Sequence, residues 1–201
     1  MAYRDFVTKW NSEEDLLGQQ ALFERFLLLH TNGIVPVEAM AFLLGKMPEN
    51  PFFSVQLLRE LQTLASRGSY TAADAILPSF AVPGSYKKTD NGGCAPEECD
   101  TLVGDFVQEI SSFGTNNPLF YGAYLIADLC SFRPFPYANL ETALLSFDHY
   151  LLSHKMAPLF FPNEQRQRFL EAVDAYAESE SLAPLRSLLQ EAAEITEKFL
   201  F

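Results

Sequence analysis

Few side chains in this sequence have the types and spacing that acid–base, metal or nucleophilic chemistry requires. The chain has only three histidines, His30, His149 and His154. The last two are five residues apart, which is not the same-face spacing of a helical metal pair. No serine, histidine and aspartate follow one another in a hydrolase order, and no nucleophile-elbow pattern is present. His149 is a candidate for a displaced general base, and the alternative is a partly buried or surface histidine without a chemical role.

The three cysteines, Cys94, Cys99 and Cys130, do not form a recognisable metal or redox motif. Cys94 and Cys99 are separated by four residues, which suits neither a zinc knuckle nor a Cys-x-x-Cys redox pair. An odd number of cysteines without a secretory signal favours reduced thiols. We therefore predict small packing residues and no bound metal.

A loop between two predicted helices is the remaining place for chemistry. Residues 133–141 read Arg-Pro-Phe-Pro-Tyr-Ala-Asn-Leu-Glu and follow the apolar run Tyr121 to Phe132. Asn139 is a favoured N-cap residue, so a helix is predicted to begin there. Arg133 keeps its proton in proteins and cannot act as a general base. Its opposite charge predicts an ion pair with Glu141 across the loop.

This loop resembles the active-site loop of Fic-domain proteins, whose pattern is His-Pro-Phe-x-Asp/Glu-Gly-Asn-Gly-Lys/Arg. Pro134, Phe135 and Asn139 match that pattern. The likeness extends, in order, over roughly residues 80 to 200. Gly84-Ser-Tyr-Lys87 resembles the start of the Fic flap, a hairpin that lies over the loop. Further segments resemble the surrounding Fic helices: Ala95-Pro-Glu-Glu98, Asn117-Pro-Leu119, Pro162 with Arg166, and Pro184-Leu185.

The resemblance implies a reaction whose reacting groups are replaced in this chain. In active Fic proteins the motif histidine takes a proton from a target hydroxyl as it attacks the α-phosphate of ATP, and Arg133 replaces that base. Tyr137 replaces the carboxylate that holds magnesium, and a phenol is a poor ligand for a hard cation. Glu141 replaces the cation that holds a phosphate, and its charge would repel a triphosphate by on the order of several kcal/mol. Ala138 and Leu140 replace glycines that let the backbone approach the phosphates.

We therefore predict a catalytically degenerate Fic-like protein, a pseudoenzyme that binds or regulates a protein partner and needs no cofactor. The flap residues Gly84, Ser85, Tyr86 and Lys87 are predicted to accept a peptide of that partner as an added strand. One alternative is a Fic-type nucleotidyl- or phosphoryl-transferase that modifies a protein hydroxyl with altered residues, and only this alternative needs ATP and magnesium. Another is a toxin–antitoxin component or other structural helical subunit.

Composition and charge limit the classes of partner. The formal net charge is −12 and the sequence pI is about 4.6, with no basic stripe, so nucleic-acid binding is not expected. No apolar run approaches the roughly 20 residues that cross a bilayer. The first residues resemble neither a signal peptide nor a basic leader, so we predict a soluble, cytoplasmic protein without a membrane contact.

The spacing of apolar residues predicts an all-α fold, because helical periodicity continues along almost the whole chain. Residues 1–79 are predicted to form an N-terminal helical region packed on a Fic-like core of residues 80–201. The Asp90-Asn91-Gly92-Gly93 turn signal predicts a short β-hairpin flap within that core. Helices are predicted to begin near the following residues: Asn11, Pro36, Pro51, Thr71, Pro96, Asn117, Asn139, Pro162 and Pro184.

Overall fold

The computed structural model of the chain describes residues 16–46, 53–67, 69, 81–113 and 117–201. Within these ranges the chain forms eight α-helices and no strand, which confirms the predicted all-α class. They are α1 (Leu16–Leu29), α2 (Val37–Lys46), α3 (Val55–Ala65), α4 (Cys99–Ser112), α5 (Pro118–Phe132), α6 (Asn139–Ser153), α7 (Arg166–Ser179) and α8 (Ala183–Leu200). The predicted helix starts at Asn11, Pro51 and Thr71 lie outside the described residues.

Capping side chains set several of the helix starts. The Ser54 hydroxyl accepts a hydrogen bond from the Leu57 N–H at 3.1 Å at the start of α3. The Asn117 side chain accepts one from the Phe120 N–H at 3.2 Å, and Pro118 follows as the first residue of α5. Each cap satisfies an N–H that has no partner within its helix. The predicted start at Asn117 is therefore confirmed.

Helices α5 and α6 pack closely at the centre of the fold, and the loop between them is residues 133–138. Gly122 of α5 lies against the buried Phe147 ring of α6, where an added Cβ would be 2.6 Å from Phe147 Cζ. Helix α3 packs on α6, and helices α7 and α8 pack on α5. One hydrophobic core includes residues from before and after position 80, so the loop is anchored by both regions.

The predicted β-hairpin flap is not formed by the described residues of this segment. Residues 81–95 run as turns, bends and irregular backbone with no strand. Their hydrogen bonds go to the loop instead of across a hairpin: the Lys87 N–H donates to Pro134 O at 3.0 Å and the Cys94 N–H to Phe132 O at 2.8 Å. The segment is therefore a cover held on the α5–α6 loop. We call residues 81–95 the cover segment.

The described residues contain neither a membrane-spanning helix nor a cluster of metal ligands. None of their helices is long and apolar enough to span a membrane. No group of three or more His, Cys, Asp or Glu side chains in these residues is arranged to hold a metal ion.

A buried carboxyl group in α6 makes the stability of the fold depend on pH. Asp148 is fully buried, its Oδ1 accepts a hydrogen bond from the Leu159 N–H at 2.8 Å, and its Oδ2 has no hydrogen-bond partner among the described residues. Burial raises the pKa of Asp148 well above its usual value, and the bond from Leu159 offsets this only in part. The folded protein therefore keeps a proton that the unfolded chain releases above a pH of about 3.9.

We expect Asp148→Asn to become more stable relative to the wild type as the pH rises. The folded state binds more protons than the unfolded state above pH about 3.9, so the wild type loses stability there until the pH passes the raised pKa. Each unit of that shift costs about 1.4 kcal/mol, and Asn keeps the acceptor for Leu159 without a charge. Urea unfolding at pH 5 and pH 8 tests this, and a constant difference between the two proteins would contradict it.

The prediction is stated relative to the wild type because two buried histidines change the pH dependence of stability in the opposite direction. Burial lowers the pKa of both His30 and His149 to about 4. The unfolded chain binds more protons at these groups between pH 4 and about 6.5, so their contribution to stability rises with pH over that range. Both proteins share this contribution, and it cancels from their difference.

Candidate functional site

The α5–α6 loop is a tight turn with left-handed backbone at both ends. Arg133 has φ 44° and Ala138 has φ 56°. The Asn139 side chain closes the turn by bonding back to Phe135. Its Oδ1 accepts a hydrogen bond from the Phe135 N–H at 3.1 Å, and its Nδ2 donates one to Phe135 O at 2.9 Å. The prediction that Asn139 is the N-cap is wrong: Ala138 holds that position, and the Asn139 side chain is bonded back into the loop.

Two buried residues attach the loop to the core and to the cover segment. Pro134 and Phe135 are buried, and the Phe135 ring centroid lies 5.8 Å from that of Tyr86. Leu140 is also buried in the core. Asn91 lies on the outer side, with its Nδ2 3.4 Å from the carbonyl oxygens of Phe135 and Pro136.

Arg133 of the loop and Glu141 in the first turn of α6 each pair with α7 and not with each other. Glu141, whose side chain is 10% exposed, accepts a hydrogen bond from Nη2 of Arg166, the first residue of α7. Arg133 Nη2 lies 3.6 Å from Asp174 Oδ1, and its Nε donates to Cys130 O at 3.2 Å. The predicted Arg133–Glu141 ion pair is therefore wrong, because α7 supplies the partner of each group.

A small cleft of about 200 Å³ remains over the start of α6. Its walls combine two guanidinium groups, one carboxylate, the first residues of α6 and apolar side chains. They are Cys130, Arg133, Ala138, Asn139, Leu140, Glu141, Arg166, Leu170 and Val173. His149 is not among them, so the structure does not place it as a base in this cleft.

Two electrostatic interactions stabilise the Glu141 carboxylate at the start of α6. Glu141 lies in the first turn of α6, and negative charge is favourable at the positive end of a helix dipole. The Arg166 guanidinium adds a charge-assisted hydrogen bond to the same carboxylate. The start of α6, where a phosphate would be expected in an active Fic protein, thus already has an anion supplied by the chain.

The predicted flap residues lie on the inner side of the cover segment, against α3. Gly84 has φ +81°, and an added Cβ would lie 2.6 Å from Thr63 Oγ1. Tyr86 is half-buried below Arg59, with the guanidinium carbon 5.6 Å from the ring centroid. Lys87 is buried, and its Nζ donates to Gly92 O at 2.6 Å. Ser85 donates its N–H to Val82 O at 2.8 Å.

Two α3 residues that the sequence alone does not single out hold the cover segment, and one of them, Gln62, also bonds the α5–α6 loop. Gln62 is fully buried, its Oε1 accepts from the Gly84 N–H, and its Nε2 donates to Tyr137 O at 3.2 Å. Arg59 Nε donates to Gly84 O at 2.5 Å. The sequence does contain a signal for Gln62, because it is a polar residue on the apolar side of α3, between Leu61 and Ala65. A buried amide at such a position needs hydrogen-bond partners.

We expect the Glu141–Arg166 pair to contribute about 1 kcal/mol to the free energy of unfolding, because one partner is largely buried. Glu141→Gln should lower stability by that amount, and a double-mutant cycle with Arg166→Met should show coupling of similar size. The exposed Arg133–Asp174 pair provides the control, with coupling near zero. Coupling between Arg133 and Glu141 that equals or exceeds that of Glu141 with Arg166 would contradict this assignment.

Comparisons with known proteins relate the chain to others by structure and not by sequence. No protein-family model matches the sequence, and no curated protein matches it. A fragment of Fic-1 from C. elegans superposes with a TM-score of 0.76 at 14% identity, covering 98% of this chain and 69% of that one. A variant of the same fragment gives 0.74 at 14% identity, with coverage of 98% and 69%. A Fic domain containing signaling protein from Bacteroides thetaiotaomicron gives 0.72 at 13% identity, covering 98% and 93%. The chain has a Fic-like fold.

Proposed function

We propose that this chain is a Fic-fold protein that has lost nucleotidyl transfer and acts as a protein-binding or regulatory module. The observation that carries this proposal is the pairing of Glu141 with Arg166 at the start of α6. The Fic pattern has a cation at position 141, and here a carboxylate lies at the wall of the cleft. An incoming triphosphate would meet that charge and would have to compete for Arg166.

The residue at the position of the general base supports the same conclusion. Arg133 remains protonated, so it cannot accept a proton from a hydroxyl nucleophile. Its guanidinium is also directed to Asp174 and to the carbonyl of Cys130. Removal of a general base typically costs about 100- to 10,000-fold in rate.

The size of the cleft also favours a protein without a nucleotide substrate. Its volume is about 200 Å³, whereas pockets for drug-sized ligands are roughly 300–1,000 Å³. The bulk of Leu140 and the Cβ of Ala138 contribute to the walls where the Fic pattern has glycines. We therefore expect this cleft to suit a phosphate-sized group better than a whole nucleotide.

We propose the outer side of the cover segment as the surface that binds a cytoplasmic protein partner. Residues 88–93 are exposed there, whereas the Lys87 N–H is bonded to Pro134 O and is not available for a peptide strand. A photo-crosslinking amino acid at Lys88 should capture the partner in cells, and the same group at the exposed Asp105 of α4 is the control. Equal capture at both positions, or none at Lys88, would reject this surface.

A transferase with altered chemistry is the second candidate, and one observation favours it. Arg133 and Arg166 both line a cleft at a helix start, which is an arrangement that binds anions. ATP and magnesium would be required only in this case. The second candidate predicts label transfer from ATP to a protein hydroxyl, whereas the first predicts none.

Incubation with labelled ATP, magnesium and an extract of the native host distinguishes the two candidates. The wild type should transfer no label above a boiled control. A variant with five substitutions, R133H, Y137D, A138G, L140G and E141R, restores the Fic pattern and serves as the comparison, after its fold has been verified by its melting transition. Label transfer by the wild type that disappears in Arg133→Ala would overturn the proposal.

A further inference from the structure

Two cysteine side chains beside the loop lie closer together than ordinary packing requires. Cys94 Sγ and Cys99 Sγ are 3.3 Å apart, and both residues are buried with free thiols. A disulfide bond is about 2.05 Å long, so the two sulfurs need to approach by only about 1.3 Å. Their spacing in the sequence matches no redox motif and predicts only packing residues.

The backbone on both sides of the pair is held by hydrogen bonds. The Cys94 N–H donates to Phe132 O at 2.8 Å, and Cys99 is the first residue of α4. Between them the Ala95 N–H donates to Glu98 Oε2 at 3.1 Å, and Cys99 Sγ lies 3.5 Å from Ala95 O. These contacts fix the two thiols as neighbours.

We propose that Cys94 and Cys99 are a modification site, a dithiol that closes to an intrachain disulfide on reaction with a low-molecular-weight disulfide such as oxidised glutathione. The thiolate of Cys94 attacks one sulfur of glutathione disulfide, which forms a mixed disulfide and releases one glutathione thiolate. The thiolate of Cys99 then attacks Cys94 Sγ and releases the second glutathione. The protein loses two electrons and two protons, and one glutathione disulfide becomes two glutathione thiols.

Exposure sets the order of attack. Cys94 is 8% exposed and Cys99 is 0% exposed, so an external disulfide reaches Cys94 first. Burial raises the pKa of Cys99 to about 12, with the nearby Lys87 ammonium acting in the opposite direction. Cys99 is therefore a poor first nucleophile, and its role is the intramolecular second step, where proximity compensates for low thiolate content.

The third cysteine is an internal control. Cys130 lies in α5 and is buried, and burial raises its pKa to about 12. The short Sγ–Sγ contact found among the described residues joins Cys94 to Cys99 and does not include Cys130. Cys130 should therefore stay reduced in the folded protein.

The test is reaction of the folded protein with glutathione disulfide, followed by acid quench, alkylation of the remaining thiols and mass spectrometry. The wild type should lose two of its three thiols, fall in mass by about 2 Da before alkylation and yield a Cys94–Cys99 cross-linked peptide. Cys99→Ser should stop at the mixed disulfide, with an added mass of about 305 Da at Cys94. Cys94→Ser should not react.

Several outcomes would overturn the proposal. They are a wild type that keeps all three thiols while its urea-unfolded form reacts, a stable glutathione adduct on the wild type, a disulfide that includes Cys130, and a disulfide between two chains. The peptide map of the wild type decides the question even if a serine variant does not fold.

Discussion

Gln62→Met should lower the free energy of unfolding by about 3 kcal/mol, because it leaves the buried Gly84 N–H without its acceptor and removes the bond to the carbonyl of the half-buried Tyr137. The amide of Gln62 accepts from the Gly84 N–H and donates to Tyr137 O, and Met fills a similar volume without either bond. For a chain of this length such a loss corresponds to a fall in melting temperature of about 6–12 °C. Chemical and thermal unfolding measure both values.

The matched control lies on the same helix. Gln56 of α3 is exposed, and its Nε2 donates only to the exposed Glu60 Oε1 at 3.0 Å, so Gln56→Met should change stability by less than about 0.5 kcal/mol. Equal effects of the two substitutions would show that Gln62 does not connect the cover segment to the loop. Residues before position 80 would then not hold the site through this side chain.

Gly93→Ala should destabilise the protein by about 3 kcal/mol, because position 93 combines an unfavourable backbone conformation with close backbone neighbours. Gly93 has φ +76°, and an added Cβ would contact Phe132 O and lie 2.9 Å from Ser131 O. These atoms belong to the last turn of α5, so they cannot rotate away. Urea unfolding monitored by far-UV circular dichroism gives the loss directly.

Gly104 is the control for the same chemical change. It lies in the middle of α4, and apart from its chain neighbours and the backbone of its own helix no heavy atom lies within 4 Å of an added Cβ. Gly104→Ala should therefore stabilise the protein by about 0.5–1 kcal/mol, as Ala does in a helix interior. If Gly93→Ala is as well tolerated as Gly104→Ala, the cover segment is not held against the end of α5.

The sequence predicted the helices well because their signals are local. The Asn117-Pro118 start of α5 depends on a side chain that caps its own helix and on a proline at the first turn. The order of short motifs likewise predicted a Fic-like fold, which the structural comparisons confirm.

The partners of polar side chains could not be predicted, because they come from residues distant in the sequence. Glu141 pairs with Arg166, which lies 25 positions later, and Gln62 bonds Tyr137, which lies 75 positions later. Asn139 has the right residue type for a cap, yet its amide satisfies the backbone of Phe135 instead. The predicted hairpin is not formed by the described residues, because a turn signal does not determine which backbone groups the neighbouring residues bond to.

The same limit applies to the flap proposal. Gly84, Ser85, Tyr86 and Lys87 were selected by resemblance to an edge that accepts peptides. In the structure the Tyr86 ring packs on Phe135, and Lys87 is buried with its N–H bonded to the loop. These contacts describe how the four residues are held, and their role in binding a partner stays a prediction.

Isothermal titration calorimetry with ATP and magnesium measures whether the carboxylate at position 141 keeps a triphosphate out of the cleft. The wild type should show no binding up to a Kd of about 1 mM, and Glu141→Gln should bind ATP more tightly than the wild type because the repulsive carboxylate is removed. Micromolar binding of ATP by the wild type, weakened by Arg166→Met and unchanged by Glu141→Gln, would contradict the account.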